Sequence, residues 1–150
     1  MIAKRKPSLV IVSPVCRARC KATDFASKNQ AQMIKLTQAR ATQTKLMTKM
    51  DDILRIITSY GGHVLIENPT HSKFWKKTFF KRLERTVAKA HVARSFLLNR
   101  CRVGGIHFKQ YKFFTSLPPS ATKHMERLCD HDFKHPPCLG RDAKQWQLCY

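Results

Sequence analysis

The stretch PSLVIVSPVCRARC, residues 7–20, decides how the rest of the chain is read. Residues 8–13, SLVIVS, carry a continuous apolar and largely β-branched run with no alternation, and Pro14 stops them. Such a run predicts a short strand buried on both faces, as in a parallel sheet. Cys16 comes just after its end, among Arg17, Arg19 and Lys21. Neighbouring cations favour the thiolate, which is the nucleophilic form of cysteine.

From about Ser27 to Ser59 the chain reads as helical, with the part before Arg40 as the less regular portion, a separate helix or a loop. Leu46, Met50, Ile53 and Ile57 form one stripe, with Met47 and Leu54 beside it. Gly61-Gly62 supplies the C-terminal cap. HVLI, residues 63–66, is a second short strand, and ENPTHS follows it. Ser72 suits the N-cap of the next helix, along which Trp75, Phe79, Leu83 and Val87 recur every fourth residue. Two further strands are expected at about 94–99 and 110–116, on either side of Gly104-Gly105. The order β-α-β-α-β-β predicts an α/β fold. Residues 1–116 would make the α/β domain. Residues 117–150, rich in Pro, His and Cys, would pack on it as an extension ending in a short helix over 140–149.

The first crossover should be right-handed and join parallel strands. Parallel strands send their carboxyl ends to one edge, where open α/β sheets place their sites. Cys16 would lie past the first strand, and Glu67 and Asn68 past the second. If those strands are neighbours, Cys16 and Glu67 face one crevice.

The charge points to a partner. Lys and Arg number 29 against 9 Asp and Glu, a formal charge of +20. Within residues 76–112, eleven cations accompany only Glu84. Charge of this size opposes compaction unless a polyanion neutralises it. Nucleic acid is the leading candidate, since each neutralised phosphate releases counterions. Arg17, Arg19, Lys76, Lys77, Lys81, Arg82, Arg85 and Lys109 are the candidate contacts. A membrane is not expected, because the apolar runs fall far short of about 20 residues. Six unevenly spaced cysteines do not read as a secreted disulfide framework. An intracellular setting, nucleus or organelle, is expected. The acid-poor stretch to residue 50 has a transit peptide as its other reading, against which the strand signal inside it stands.

Together SPVC at 13–16 and IENPTHSKFW at 66–75 resemble the catalytic half of cytosine-5 DNA methyltransferases, in the divergent form carried by phages and mobile elements. CRVGG at 101–105, KQYKFFTS at 109–116 and CDHDFKH at 129–135 extend the resemblance. It implies a partial Rossmann-like methyltransferase sheet. It also implies Cys16 as the nucleophile that attacks C6 of a flipped cytosine. Glu67 would bind the Watson–Crick edge of the base, Asn68 would hold the turn, and Lys112 would help orient the base. Ser13 stands where the element proteins usually have proline, and Arg17 where the family's usual residue is glutamine. The glycines at 61, 62, 104, 105 and 140 form no strand-following Gly-x-Gly for S-adenosylmethionine, and only Met1–Lys6 precedes the first strand. The resemblance therefore implies a truncated domain that keeps nucleic-acid affinity, does not methylate alone, and holds no cofactor unless a partner chain supplies the S-adenosylmethionine site. A basic structural nucleic-acid-binding protein, for example of an organellar ribonucleoprotein, and one half of a split methyltransferase are the alternatives. The first strand's open edge invites pairing with a second copy or a partner chain.

CDHDFKHPPC, residues 129–138, carries a separate signal. Cys129, His131, His135 and Cys138 are thiolate and imidazole donors of the kind zinc takes in fours, at a spacing that is not that of a standard finger. The other reading is an irregular loop with one or two buried cysteines.

Overall fold

The computed structural model describes residues 6–14, 29–105 and 109–135. Strand β1 is Leu9–Val12, helix α1 Gln30–Ser59, strand β2 His63–Pro69, helix α2 Thr78–Ala90, strand β3 Arg94–Asn99 and strand β4 Gln110–Thr115. Short 3₁₀ turns cover Lys73–Lys76, Arg100–Val103 and Lys123–Met125, and a one-turn helix α3 spans Pro119–Thr122. The expected α/β order is present, with four strands in one open sheet.

The sheet runs β1-β2-β4-β3. β1 and β2 are parallel, while β4 is antiparallel to both of its neighbours. β1, β2 and β3 therefore all end on the same edge. One face is covered by α1 and α2. There Val64, Ile66 and Phe114 meet Leu54, Ile57, Phe74, Phe80, Leu83 and Val87, all buried, and Val10 and Val12 pack against them in part. The other face carries a smaller cluster of Leu65, Phe96 and Phe113, with Met125 from the C-terminal segment against it.

Four local expectations are corrected. β1 is not buried on both faces. Its apolar run feeds the helical layer through Val10 and Val12, while Leu9 and Ile11 are exposed, Ile11 at 66%. β2 does not stop at Ile66. Glu67, Asn68 and Pro69 continue it, opposite Phe113, Lys112 and Tyr111 of β4. Proline is tolerated there because it ends the strand and β1 pairs only as far as Ile66.

α1 is one continuous helix from Asn29, whose side chain accepts from the Gln32 N–H at 2.9 Å. Its buried stripe is Gln43, Met47, Asp51, Leu54 and Thr58, with Ile57, so the expected Leu46 faces solvent. The fourth correction concerns the segment after Ser72. Ser72 caps the 3₁₀ turn, accepting from the Phe74 N–H at 3.2 Å, so Trp75, Lys76 and Lys77 precede α2. The face that α2 buries is Phe80, Leu83 and Val87, with Phe79 only half-buried.

Asp51 explains why a charged residue sits in that stripe. Its side chain is fully buried and Oδ2 receives both Nε, at 3.1 Å, and Nη2 of Arg82 on α2. The α1–α2 junction is thus fixed by a fork-shaped ion pair as well as by apolar packing.

The α1-to-β2 turn uses the expected glycines. Gly61 takes φ 84°, and the Gly62 N–H donates to Ile57 O at 2.9 Å. A Cβ on Gly62 would lie 2.7 Å from Ile57 Cγ2 and 3.0 Å from Pro7 O. Gly62→Ala is therefore expected to destabilise the protein by about 1–3 kcal/mol. Gly61→Ala meets no atom within 4 Å but must hold the left-handed backbone. It should cost about 1 kcal/mol. Urea midpoints of the two variants check the order.

Candidate functional site

The carboxyl edge of β1 and β2 brings Ser13, Pro14, Glu67 and Asn68 together. β1 pairs with β2 only through Val12, so side chains make the join beyond that point. Ser13 Oγ donates to Glu67 Oε2 at 2.5 Å. Asn68 Nδ2 donates to Pro14 O at 2.7 Å. The pleat sends Glu67 and Asn68 to opposite faces of β2. Two bonds, one on each face, therefore fix the path of the chain out of β1.

Each of these side chains keeps an acceptor in reserve. Glu67 Oε1 and Asn68 Oδ1 are buried and meet no donor among the described residues. A buried acceptor without a donor is costly. Such an atom is also what a ligand bearing N–H groups would complete.

Lys112 lies directly opposite Asn68 across the β2–β4 ladder, and its Nζ stands 5.1 Å from the centre of the Trp75 ring. Trp75 Nε1 in turn donates to Pro69 O at 2.9 Å. Lys112 thus shares the face of Asn68, and the pleat places Glu67 on the other. Cys16 lies two residues beyond Pro14 in sequence, outside the described residues, as do Arg17 and Arg19.

The candidate cations are dispersed. Lys76, Lys81, Arg82 and Arg85 are exposed, but Arg82 is committed to Asp51 and Lys81 lies 3.3 Å from Glu84. Arg85 Nε donates to Lys81 O at 3.3 Å, which leaves most of its guanidinium facing outward. Lys77 is half-buried at the start of α2. Lys109 immediately precedes β4, at the carboxyl edge of β2 and β3, with its Nζ 5.0 Å from the Tyr111 ring centre. Lys76, Lys81 and Arg85 therefore form the accessible basic face around α2.

A second cluster lies past the carboxyl end of β3. Cys101, in the 3₁₀ turn there, meets Cys129, His131 and His135 from the C-terminal segment, with all four donor atoms within 4.8 Å of one another. Cys129 Sγ is 3.5 Å from His131 Nδ1 and 3.1 Å from His135 Nε2, and the two ring nitrogens are 3.2 Å apart. The His131 backbone N–H, followed by His135, lowers the Cys129 thiol to about 6. Burial, then Cys129, raises the Cys101 thiol.

Three of the four sequence-chosen donors are thus together. The fourth, Cys138, lies outside the described residues, and Cys101 completes the set. Spacing alone could not find Cys101, which is 28 positions before Cys129. Its cue was the Cys-x-x-Gly turn at the end of a strand.

The segment carrying three of these donors is tied along β3. Leu98 and Arg127 form a parallel bridge, and the Asn99 N–H donates to Arg127 O at 2.9 Å. Arg94 pairs with Glu126 at 3.1 Å and donates to Thr122 Oγ1, while Arg102 pairs with Asp130.

No family model matches the sequence, and no curated protein matches it. Among solved structures the chain is similar to the Entamoeba histolytica methyltransferase EhMeth, with 17% identity and a TM-score of 0.50. The match covers 90% of this chain and 38% of that one. At this identity the likeness concerns the fold alone. The four-stranded open sheet is that of a partial Rossmann-like methyltransferase fold, and the chain spans less than two thirds of its neighbour. Among the described residues, no helix is long and apolar enough to cross a membrane.

Proposed function

We propose that this chain is a methyltransferase-like nucleic-acid-binding protein, of the divergent kind found in phages and mobile elements. In this reading it keeps the base-binding edge of the fold and does not transfer a methyl group by itself. The observation that carries the reading is the arrangement of Glu67. On a methyltransferase-like sheet, it stands at the carboxyl edge with one oxygen fixed by Ser13 and the other buried with no donor among the described residues. A carboxylate so held can accept from the N–H groups of a base edge. Asn68, by gripping Pro14 O, would steer the chain toward Cys16.

The basic face of Lys76, Lys81 and Arg85 would hold the phosphate backbone. A Rossmann-like site holds S-adenosylmethionine with a Gly-x-Gly turn after a strand, and the described residues carry none, so in this reading the methyl donor would be held outside them.

The test has two arms. Incubation of the chain with cytosine DNA and labelled S-adenosylmethionine should transfer no label. Transfer that Cys16→Ala abolishes would overturn the reading. In the second arm, anisotropy with labelled single-stranded and duplex oligonucleotides should show binding that weakens steeply with salt. Combining Lys76→Glu, Lys81→Glu and Arg85→Glu should weaken it by roughly 100-fold and lower the salt slope by about 3. Binding that ignores salt and these changes would overturn the nucleic-acid assignment.

A further inference from the structure

We propose that Cys101, Cys129, His131 and His135 bind one zinc ion, which staples the C-terminal segment to the end of β3. The donor set is two thiols and two imidazoles, the combination that structural zinc takes in a closed tetrahedron. Among Cys129, His131 and His135 the geometry agrees with that ion, and the Cys101 sulfur lies within 4.8 Å of all three donor atoms. Zn–S and Zn–N bonds of ordinary length at tetrahedral angles put S and N about 3.6 Å apart and two N atoms about 3.3 Å apart. The observed separations are 3.5 and 3.1 Å for the Cys129 pairs and 3.2 Å for the two histidines.

Apolar packing does little to order the chain around the cluster. Residues 128–135 form no helix, and Leu128 and Phe133 are more than half exposed. A loop without an apolar anchor has to be fixed by other means, and in small irregular segments metal binding is a common one. Yet the loop returns three donors to a cysteine on a separate turn. Arg127 alongside Leu98 and Asn99, and Asp130 on Arg102, hold the two segments in register on both sides of Cys129. The backbone N–H of His131 points at the Cys129 sulfur, an arrangement that supports a thiolate ligand.

The sequence alone suggested Cys138 as the fourth ligand, and zinc ligation by Cys101 is the distinguishing claim. The experiment uses the full chain, purified under reducing conditions and reconstituted with Zn²⁺ or Co²⁺ alone. One equivalent of zinc should remain after gel filtration. The cobalt form should show the intense visible bands of a tetrahedral site and the near-ultraviolet charge transfer of two thiolates. Cys101→Ser and Cys129→Ser should each weaken zinc binding by roughly 100-fold or more and halve the thiolate charge transfer. Cys138→Ser should leave both unchanged. Zinc below a tenth of an equivalent, an octahedral cobalt spectrum, a Cys101–Cys129 disulfide in the reduced preparation, or a site lost in Cys138→Ser but kept in Cys101→Ser would each overturn the proposal. Limited proteolysis of the wild-type chain gives a readout that needs no variant. Zinc should slow cleavage within 126–135, and equal cleavage with and without zinc would overturn the staple.

Discussion

Arg82→Ala should destabilise the protein by about 2–4 kcal/mol, although Arg82 itself is half exposed. The cost comes from Asp51, whose carboxylate is fully buried in the α1 stripe and would lose its only counter-charge among the described residues. Removing one partner of such a pair is worse than removing both. Asp51→Leu combined with Arg82→Met should therefore recover most of the loss, because both new side chains are apolar and of similar reach. Urea unfolding with an unchanged slope checks the pair of results. If Arg82→Ala is as stable as the parent, the ion pair is ornamental to the α1–α2 junction. The same result bears on binding studies: a charge reversal at Arg82 would lower nucleic-acid affinity by unfolding the chain. For that reason Arg82 is left out of the triple reversal.

Phe80→Ala is the second large effect, at about 3–5 kcal/mol. Phe80 is 1% exposed and lies edge-on to Trp75 and Phe114, with ring centres 4.9 and 5.3 Å away. It also touches Phe74, centre to centre 5.4 Å. Its ring thus joins α2, the 3₁₀ turn and β4 at one point. Phe80→Leu should retain more than half of the lost stability, since it keeps most of the volume. Phe79→Ala should cost much less, because Phe79 is only half-buried at the rim. Thermal melts of the three variants give the order. Equal losses for Phe79 and Phe80 would mean that the helix is rotated from the arrangement described.

That contrast shows what the sequence could and could not convey. β3 and β4 were legible almost to the residue, because short runs with apolar and aromatic residues on either side of Gly104-Gly105 carry their own signal. The α/β class followed from the alternation of strands and helices. Phe80 was not preferred over Phe79, since the four-residue spacing counted Trp75 as helical. Ser72 in fact caps a 3₁₀ turn, which shifts the helical phase by the length of that turn. Asp51 was invisible for a different reason. A charge in an apolar stripe makes sense only once Arg82, 31 positions later, is known to face it.

The candidate edge was legible in its pairing and not in its extent. Glu67 and Asn68 were expected beside the end of β1, and Ser13 and Pro14 do meet them. Their place inside β2 was hidden, because Asn-Pro reads as a turn unless a partner strand is known to continue opposite it. Of the clustered thiol and imidazole side chains, Cys129, His131 and His135 announced themselves by local spacing. Cys101 belongs to another element, and only the folded chain brings it near.

The position of β4 has a consequence for how the chain acquires its shape. β2 and β3 leave the ribosome before β4, yet they never touch along their lengths; the last strand to emerge sits between them. β1 and β2 are likewise separated in sequence by all of α1. The sheet therefore cannot zip up in the order of synthesis, and its two halves must wait for residues 110–115. Contacts this distant in sequence slow folding and leave strand edges open to other chains in the interval. The helical pair, complete by Ala90 and sharing the Asp51–Arg82 clasp, is the part of the molecule able to form before β4 arrives and to hold β2 in place until then.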